Sequence, residues 1–326
     1  MLLNDSLPSD VKESMRAFEV EYGANLDSKV TGLEEGLELV RQGTGKHIRP
    51  IILMLTAASL GRLDERVVDG AIFLELLHVA TLVHDDVVDE SMKRRGRPSV
   101  NAFLDNHRAV LVGDYILSLA ITKAVDAGDL RILRVLAEIG QGLAEGEFRQ
   151  MSAARNGFPT EEEYFDIIRA KTASLMAACC KIGAILAGIK DIDVVRSLGA
   201  AGEALGMAFQ IKDDIFDYTG NDAQIGKPVG NDLREHKVTL PLLYALKSDS
   251  EESLEMKRIL NKESLESAEI DRLIDFARNE GGVDSASAKL DSFVHRAKEL
   301  FRQYLPPNEY RDALLRVCDF VESRRS

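Results

Sequence analysis

Apolar side chains recur every three or four residues along most of the 326-residue chain, and no convincing run alternates between apolar and polar positions. This period gives a helix one apolar face, so the pattern predicts an all-α protein. The predicted helices cover residues 50–60, 66–89, 109–126, 130–151, 161–189, 194–218, 239–246, 254–260, 269–280 and 286–305, and a last one reaches about residue 322. The chain has only eight prolines and no Gly/Ser-rich linker, which favours a single domain over residues 1–326.

The formal net charge of −13 argues against a nucleic-acid partner, which would need a basic face for the phosphate backbone. The first residues lack the basic and apolar regions of a signal peptide, and the most apolar runs, residues 71–83 and 173–189, are too short or too charged to span a bilayer. The three cysteines, Cys179, Cys180 and Cys318, lack metal-ligand spacing and are expected to be buried free thiols. Free thiols indicate a reducing compartment, so a cytoplasmic location is expected.

Two groups of aspartates share the spacing Asp-Asp-x-x-Asp: the first cluster is Asp85, Asp86 and Asp89, and the second cluster is Asp213, Asp214 and Asp217. In a helix the first and last carboxylates of each cluster lie at i and i+4, on one face. A lone cluster of this kind is usually a solvated acidic surface, but here each follows an apolar segment and the arrangement occurs twice. Two such faces brought together require cations, and magnesium held by carboxylates usually completes its shell with substrate phosphates. The clusters therefore predict a magnesium site that binds diphosphates, with all six aspartates as candidate ligands.

Basic and polar side chains occur in separate sets around these clusters. They are Lys46 and Arg49 near a predicted helix start, Arg94 and Arg95 after the first cluster, and Lys171, Thr172, Gln210, Lys227 and Lys237 further along. Any one of them is more often a surface residue than a ligand, but together they supply enough donors for two diphosphates. The segment from Gly43 to Lys46 is not a P-loop, because His47 replaces the Ser/Thr and no strand precedes it.

His78 lies seven residues before Asp85 on the same predicted helix, and therefore on a similar face. A lone helical histidine is usually a hydrogen-bonded core residue. The sequence leaves both that role and a place in the binding site open.

The segments that carry these residues also resemble a known family. They are residues 45–50 (GKHIRP), 84–91 (HDDVVDES), 94–96 (RRG), 113–114 (GD), 171–172 (KT), 209–217 (FQIKDDIFD) and 226–228 (GKP), followed by Asp232, Leu233 and Lys237. In this order and combination they are similar to the trans-isoprenyl diphosphate synthases. The resemblance runs from Gly45 to about Pro241, which is most of the chain.

The resemblance implies an all-α bundle around a deep central cavity, the isoprenoid synthase fold, with the two clusters on opposing walls near its mouth. It implies a prenyltransferase, usually a homodimer, that joins isopentenyl diphosphate repeatedly to an allylic diphosphate such as farnesyl diphosphate, with three magnesium ions per site. The residues it assigns to isopentenyl diphosphate are Lys46, Arg49, His78 and Arg95, and those it assigns to the allylic diphosphate are Arg94, Lys171, Thr172, Gln210, Lys227 and Lys237. The implied catalytic set is Asp85, Asp89, Arg94, Lys171 and Asp213.

Product length is expected to depend on what closes the cavity beneath the first cluster. Ala80 and Thr81 lie five and four residues before Asp85, and family members that make short products typically carry Phe or Tyr at one of these positions. Small residues also allow close helix packing, but in this family they favour an open tunnel and a long product of about C35–C45 for a quinone side chain. Residues 78–84 (HVATLVH) look most like octaprenyl diphosphate synthases, and the helix over residues 130–139 is expected to form the tunnel floor.

Other interpretations stay open at this point. A synthase of shorter products, such as geranylgeranyl diphosphate, would need a bulky residue elsewhere in the tunnel. A terpene cyclase would replace the second cluster by an Asn/Ser/Glu metal motif. A non-catalytic subunit of a heteromeric synthase usually lacks some of the aspartates and basic residues that this chain keeps, and an acidic helical scaffold leaves the paired clusters unexplained.

Overall fold

The structure, a computed structural model, describes residues 6–43, 45, 47–94, 96–155, 157–219, 229–262 and 264–324. Over these residues the fold is all-α, as the apolar period predicts, apart from two strands of two residues each. The helices are α1 Ser9–Asn25, α2 Leu33–Gln42, α3 Ile48–Ser59, α4 Glu65–Val88, α5 Val100–Phe103, α6 Asn106–Asp126, α7 Leu130–Arg155, α8 Glu161–Ile168, α9 Ser174–Leu186, α10 Ile192–Thr219, α11 Asn231–Arg234, α12 Leu240–Ala245, α13 Glu251–Leu260, α14 Ser267–Asn279, α15 Gly282–Tyr304 and α16 Glu309–Ser323.

Helices α1 and α2 precede the first helix that the sequence predicts. In α1 the buried residues are Val11, Met15, Phe18 and Tyr22, spaced by three or four positions. The helical period is therefore present, but only about one residue per turn is buried. Such a narrow apolar face is a weaker signal than the broad faces of the later helices.

Helix α4 carries the first cluster at its C-terminal end. The helix begins after Asp64, whose side chain accepts a hydrogen bond from the backbone N–H of Val67 (3.3 Å). Among the described residues α4 is the one helix long and apolar enough to cross a membrane. However, 72% of its most apolar 18-residue stretch is buried inside the protein. Burial on nearly all sides is what a core helix of a folded domain requires, so its hydrophobicity is explained by packing.

A short hairpin follows α4. Strand β1 (Lys93–Arg94) pairs antiparallel with β2 (Arg97–Pro98), so that Arg94 lies opposite Arg97. Gly96 in the turn has a φ of +78°, a conformation that side chains rarely adopt. The hairpin reverses the chain directly after the first cluster and brings Arg94 back to α4.

The single helix predicted over residues 161–189 is interrupted. Helix α8 starts at a capping box formed by Thr160 and Glu163, and a π-helical turn, Arg169–Ala173, separates it from α9. A π turn inserts one extra residue into a helix and is frequently found at functional sites. Lys171 and Thr172 lie in this turn.

The chain folds into two compact units. Unit 1 comprises Met1–Ala137, Ala178–Gly199 and Phe301–Leu315, and unit 2 comprises Glu138–Ala177, Ala200–Leu300 and Arg316–Ser326. In unit 1, α4 packs chiefly along α6 and α3. The first cluster belongs to unit 1 and the second cluster to unit 2. Cys179, Cys180 and Cys318 are buried free thiols, as predicted.

Candidate active site

The three carboxylates of the first cluster have different environments. Asp86 is buried, and both of its oxygens accept hydrogen bonds from Arg94, from Nε (2.7 Å) and from Nη2 (2.8 Å). Asp85 is half-buried and Asp89 is exposed, one turn apart on the face that also includes Thr81. Asp86 therefore anchors Arg94, whereas Asp85 and Asp89 form the i, i+4 pair that a ligand can reach.

The position of the first cluster depends on a contact between α4 and α6. The ring of His84, directly before Asp85, lies against Gly113 of α6, with Nε2 3.3 Å from the backbone oxygen of Val110 and 3.3 Å from Asp114 Oδ1. A Cβ atom at position 113 would overlap the His84 ring. Gly113 is thus required by close approach, and it holds the end of α4 in register with α6.

Replacing Gly113 by alanine should destabilise unit 1. The new methyl group has no room beside His84, and overpacking of this kind costs about 1–3 kcal/mol. A lower Tm in a thermal melt is expected, together with a smaller increase in Tm when substrate is added. Gly140→Ala in α7 is the matched control, because a Cβ there meets nothing within 4 Å. An alanine at position 113 with the Tm of the Gly140→Ala variant would contradict this account.

The second cluster is already bonded within unit 2. Asp214 is buried and accepts hydrogen bonds from Tyr164 Oη (2.6 Å) and Gln210 Nε2 (2.9 Å). Asp217 accepts from the backbone N–H groups of Asn231 and Asp232, both at 3.0 Å, and so fixes the start of α11. These bonds hold two of the three carboxylates in place without neutralising them.

Asp213 has a cationic partner from the end of the chain. It forms an ion pair with the guanidinium group of Arg324, which also lies over the rings of Phe209 (4.5 Å) and Phe216 (5.2 Å). Burial lowers the pKa of Arg324 to about 10. The side chain still carries its positive charge at neutral pH and is an internal counterion of the second cluster.

A further acid, Asp232, lies beside the second cluster. Burial and the charges of Asp214 and Asp217 raise the pKa of Asp232, although Lys237 opposes this effect. Burial also raises the pKa of Asp214, with a smaller contribution from Asp217. Asp217 raises the pKa of both neighbours, and a bound cation would stabilise carboxylates that lie this close together.

The carboxylates fit a divalent metal in the way that magnesium is usually bound. Among the described residues no three His, Cys, Asp or Glu side chains are arranged to hold a metal ion by themselves. Magnesium commonly takes only one or two carboxylates from the protein and completes its octahedral shell with water and phosphate oxygens. The carboxylates of each cluster suit this mode and would be inadequate for a closed all-protein site.

Replacing Asp232 by asparagine should stabilise the metal-free protein at high pH. A carboxyl whose pKa is raised by folding binds its proton more tightly in the folded state, so stability falls as pH rises above the ordinary carboxyl value of about 4. The gain in Tm from Asp232→Asn should therefore be large at about pH 8 and shrink towards about pH 5. Melting curves in a chelating buffer at several pH values test this, and a gain that does not change with pH would exclude a charge effect.

The other basic and polar candidates of unit 2 are held by hydrogen bonds near the π turn. Lys171 Nζ lies 2.6 Å from Glu147 Oε2 and donates to Gln150 Oε1 (3.0 Å). Thr172 donates to Gln210 Oε1 (2.7 Å), and Gln210 in turn donates to Asp214. The π turn is thus connected to the second cluster through Gln210.

Of four further candidates, one lies within the described residues and three do not. Lys237 donates to Glu235 (2.8 Å) and is half-buried. Lys46, Arg95 and Lys227 lie outside the described residues.

Unit 1 contains a cavity of about 510 Å³ next to the first cluster. Its wall combines apolar side chains of α4 with cationic and polar ones; among its lining residues are Val79, Leu82, Val83, His47, Glu75, His78, Asp86, Arg94 and Arg97. His78 lies in the wall of this cavity and is also buried, which fits both of the roles that the sequence leaves open. Ala80 is buried, and Thr81 is half-buried with its hydroxyl donating to the backbone oxygen of His78 (2.7 Å). Neither of these two is a wall residue of this cavity.

Several residues of these sites were not selected from the sequence. Tyr164, Asp232 and Arg324 reach the second cluster only through tertiary packing, and His47 reaches Glu75 in the same way. Asp232 stands inside one of the motifs that carry the resemblance, so its position was a usable signal. Nothing local distinguishes Tyr164 in α8 or Arg324 directly after α16 from residues without a role in the site.

The model of one protein family, described as polyprenyl synthetase, matches residues 31–277. The chain belongs to the polyprenyl synthetase family. It is therefore an enzyme, a prenyltransferase of isoprenoid biosynthesis. Its all-α fold is that of the family's solved members.

Curated relatives and solved structures extend the family match over nearly the whole chain. The chain is 36% identical to heptaprenyl diphosphate synthase component 2 of Geobacillus stearothermophilus (99% of this chain and 97% of the relative). It is also 36% identical to octaprenyl diphosphate synthase of Escherichia coli (86% and 87%). A polyprenyl synthase of Caulobacter crescentus, solved with calcium and isoprenyl diphosphate, superposes with a TM-score of 0.90 at 31% identity (97% and 96%). Relatives of this kind are long-chain trans-polyprenyl diphosphate synthases, which supports the same general reaction here.

Proposed function

We propose that this chain adds isopentenyl diphosphate repeatedly to an allylic diphosphate such as farnesyl diphosphate and releases a long all-trans polyprenyl diphosphate. The observation that supports this most is the combination, in unit 1, of the Asp85–Asp89 pair with a cavity whose wall is both apolar and cationic. A product of about C35–C45 is proposed, with octaprenyl favoured, for quinone side chains. The heptaprenyl and octaprenyl products in the relatives' names support that range.

Magnesium is the proposed cofactor, with three ions per site. Asp85 and Asp89 of the first cluster and Asp213 of the second are the preferred ligands, and Asp86, Asp214 and Asp217 complete the proposed metal-binding set. The bond between Asp86 and Arg94 gives that aspartate a supporting role. When bound, magnesium would neutralise charge on the diphosphates as a Lewis acid. The calcium in the Caulobacter relative supports a divalent cation.

The diphosphates are proposed to bind to the positive and polar side chains that the motifs provide. Lys46, Arg49, His78 and Arg95 would bind isopentenyl diphosphate, and Arg94, Lys171, Thr172, Gln210, Lys227 and Lys237 would bind the allylic diphosphate. Arg94 is held by Asp86, and Lys171 by Glu147 and Gln150. Charges fixed in this way need little reorganisation when a diphosphate becomes a leaving group.

The proposed reaction follows from these fixed charges. Arg94 and Lys171 stabilise the departing diphosphate, so the allylic C–O bond ionises and leaves a delocalised carbocation. The double bond of isopentenyl diphosphate attacks this cation, and the departing pyrophosphate accepts the proton whose loss restores an alkene. The apolar side chains Val79, Leu82 and Val83 keep water away from the cation.

A homodimer in the cytoplasm is proposed as the working form. Leu111, Ile121 and Val125 of α6 are 64%, 43% and 55% exposed, and apolar side chains on one helix are typical of a contact with another chain. The Geobacillus relative is named a component, so a heteromeric synthase is the alternative assembly.

Incubation of the purified chain with Mg²⁺, farnesyl diphosphate and labelled isopentenyl diphosphate tests the proposed function. Products of about C35–C45 are expected after dephosphorylation, and a chelator should abolish them. No incorporation by the chain alone would reject an independent synthase. A single C20 product would reject the long-chain assignment.

A further inference from the structure

Glu75 is a buried acid in the cavity of unit 1 that the assignments above leave without a role. It projects from α4 one turn before His78 and is 6% exposed. Burying a carboxylate is costly unless it is paired, and in a diphosphate site it also repels the substrate. Its presence here therefore calls for a specific partner.

His47 is that partner. Its Nδ1 lies 3.2 Å from Glu75 Oε1, and the other oxygen of Glu75 has no hydrogen-bond partner among the described residues. His47 precedes α3 in a left-handed conformation (φ 44°, ψ 41°), and its ring meets Phe18 and Tyr22 of α1 edge-on at 5.2 and 6.0 Å. Contacts from α1 and α4 thus fix the ring from two sides.

The charges around Glu75 support an ionised carboxylate. Burial would raise the pKa of Glu75, but the hydrogen bond from His47 and the positive charges of His78 and Arg49 together lower it below the ordinary value. Arg49 Nε is itself buried without a hydrogen-bond partner among the described residues. One carboxylate thus faces three nitrogen-bearing side chains at the cavity.

We propose that His47 is a further binding residue for the diphosphate of isopentenyl diphosphate and that Glu75 is the positioning residue that orients it. The inference rests on the proposed function of this cavity. Because Nδ1–H is donated to Glu75, the Nε2 edge of the ring is left for a ligand. A diphosphate oxygen brings the negative charge that favours a second proton on the ring; Nε2–H then donates to that oxygen while the Glu75 carboxylate holds Nδ1–H. The Glu75 carboxylate is tolerated in an anion-binding site because it contacts His47 rather than the diphosphate.

The test uses three variants: Glu75→Gln, His47→Phe and the double variant. Phenylalanine keeps a ring against Phe18 and Tyr22 but cannot donate. Each single variant should raise the KM for isopentenyl diphosphate about ten- to a hundredfold, the range of a hydrogen bond to a charged group. The KM for farnesyl diphosphate and kcat should stay unchanged. The double variant should match the single ones, because residues that act as a unit are not additive.

Binding of isopentenyl diphosphate without the allylic substrate, measured by calorimetry, gives the second readout. Glu65→Gln, an exposed acid at the start of the same helix, is the matched control and should change neither quantity. An unchanged KM in the single variants, or fully multiplicative losses in the double variant, would overturn the inference. If Glu75→Gln fails to fold, His47→Phe alone decides. A wild-type chain that neither binds nor incorporates isopentenyl diphosphate would instead reject the proposed function.

Discussion

Replacing Asp85 by alanine is expected to lower the rate of isopentenyl incorporation by about a thousandfold and to leave the fold intact. Asp85 and Asp89 share one face of α4 at its C-terminal end, where the helix dipole adds negative charge. Removing one carboxylate of the pair removes a proposed metal ligand. Because Asp85 is half-buried, the change leaves no large void, and Asp86 keeps its bonds to Arg94.

Turnover and circular dichroism of the same preparation measure this prediction. Asp69→Ala is the control, since it removes a carboxylate from the same helix and breaks only a surface ion pair with Lys123 (2.6 Å). Such pairs contribute about 0–1 kcal/mol, so its activity should equal that of the wild type. Activity of Asp85→Ala within tenfold of the control would argue against a role in catalysis.

The first cluster could be located from the sequence because its signal is local. Asp85, Asp86 and Asp89 directly follow a long apolar run, and the helical spacing alone places the outer two on one face. The same applies to the core helices, whose predicted bounds differ from α4 and α6 by three residues or fewer. Local pattern is sufficient where packing follows the helical period.

The environment of the second cluster could not be read from the sequence. Tyr164 and Arg324 are 49 and 111 residues from Asp213, and both contact its cluster only because helices distant in sequence pack together. Tertiary packing also gives the aspartates within each cluster different roles. Asp86 and Asp214 are buried and bonded, whereas an aspartate pattern treats all members as equal.

The π turn shows a second limit of pattern analysis. Residues 161–189 have a continuous apolar period, and it predicts one helix. The extra residue in the turn Arg169–Ala173 changes the direction of Lys171 and Thr172 without any Gly or Pro to announce it. Whether a helix contains such a π turn depends on the hydrogen bonds that its packing against neighbouring helices permits.

Replacing Ala80 by phenylalanine is expected to shorten the product from about C35–C45 to about C20 or less. Ala80 lies five residues before Asp85, which is about 7.5 Å along the helix axis, so a growing chain would meet a new ring after a few isoprene units. Ala80 is 1% exposed and does not line the cavity that His78 lines. Its place beside a product tunnel is the prediction that this substitution tests. Sizing the dephosphorylated products measures the change.

Overpacking alone must be separated from closure of the tunnel. A phenylalanine forced into a close-packed core lowers stability by about 1–3 kcal/mol whether or not a tunnel is present. Ala286→Phe in α15 replaces an equally buried alanine remote in sequence from the first cluster, so it should lower Tm while leaving product length unchanged. Ala80→Phe should shorten the product with a smaller loss of Tm, because a tunnel gives the ring space that a packed core does not. The opposite result, an unchanged product with the Tm of Ala286→Phe, would mean that Ala80 is small only to let helices pack.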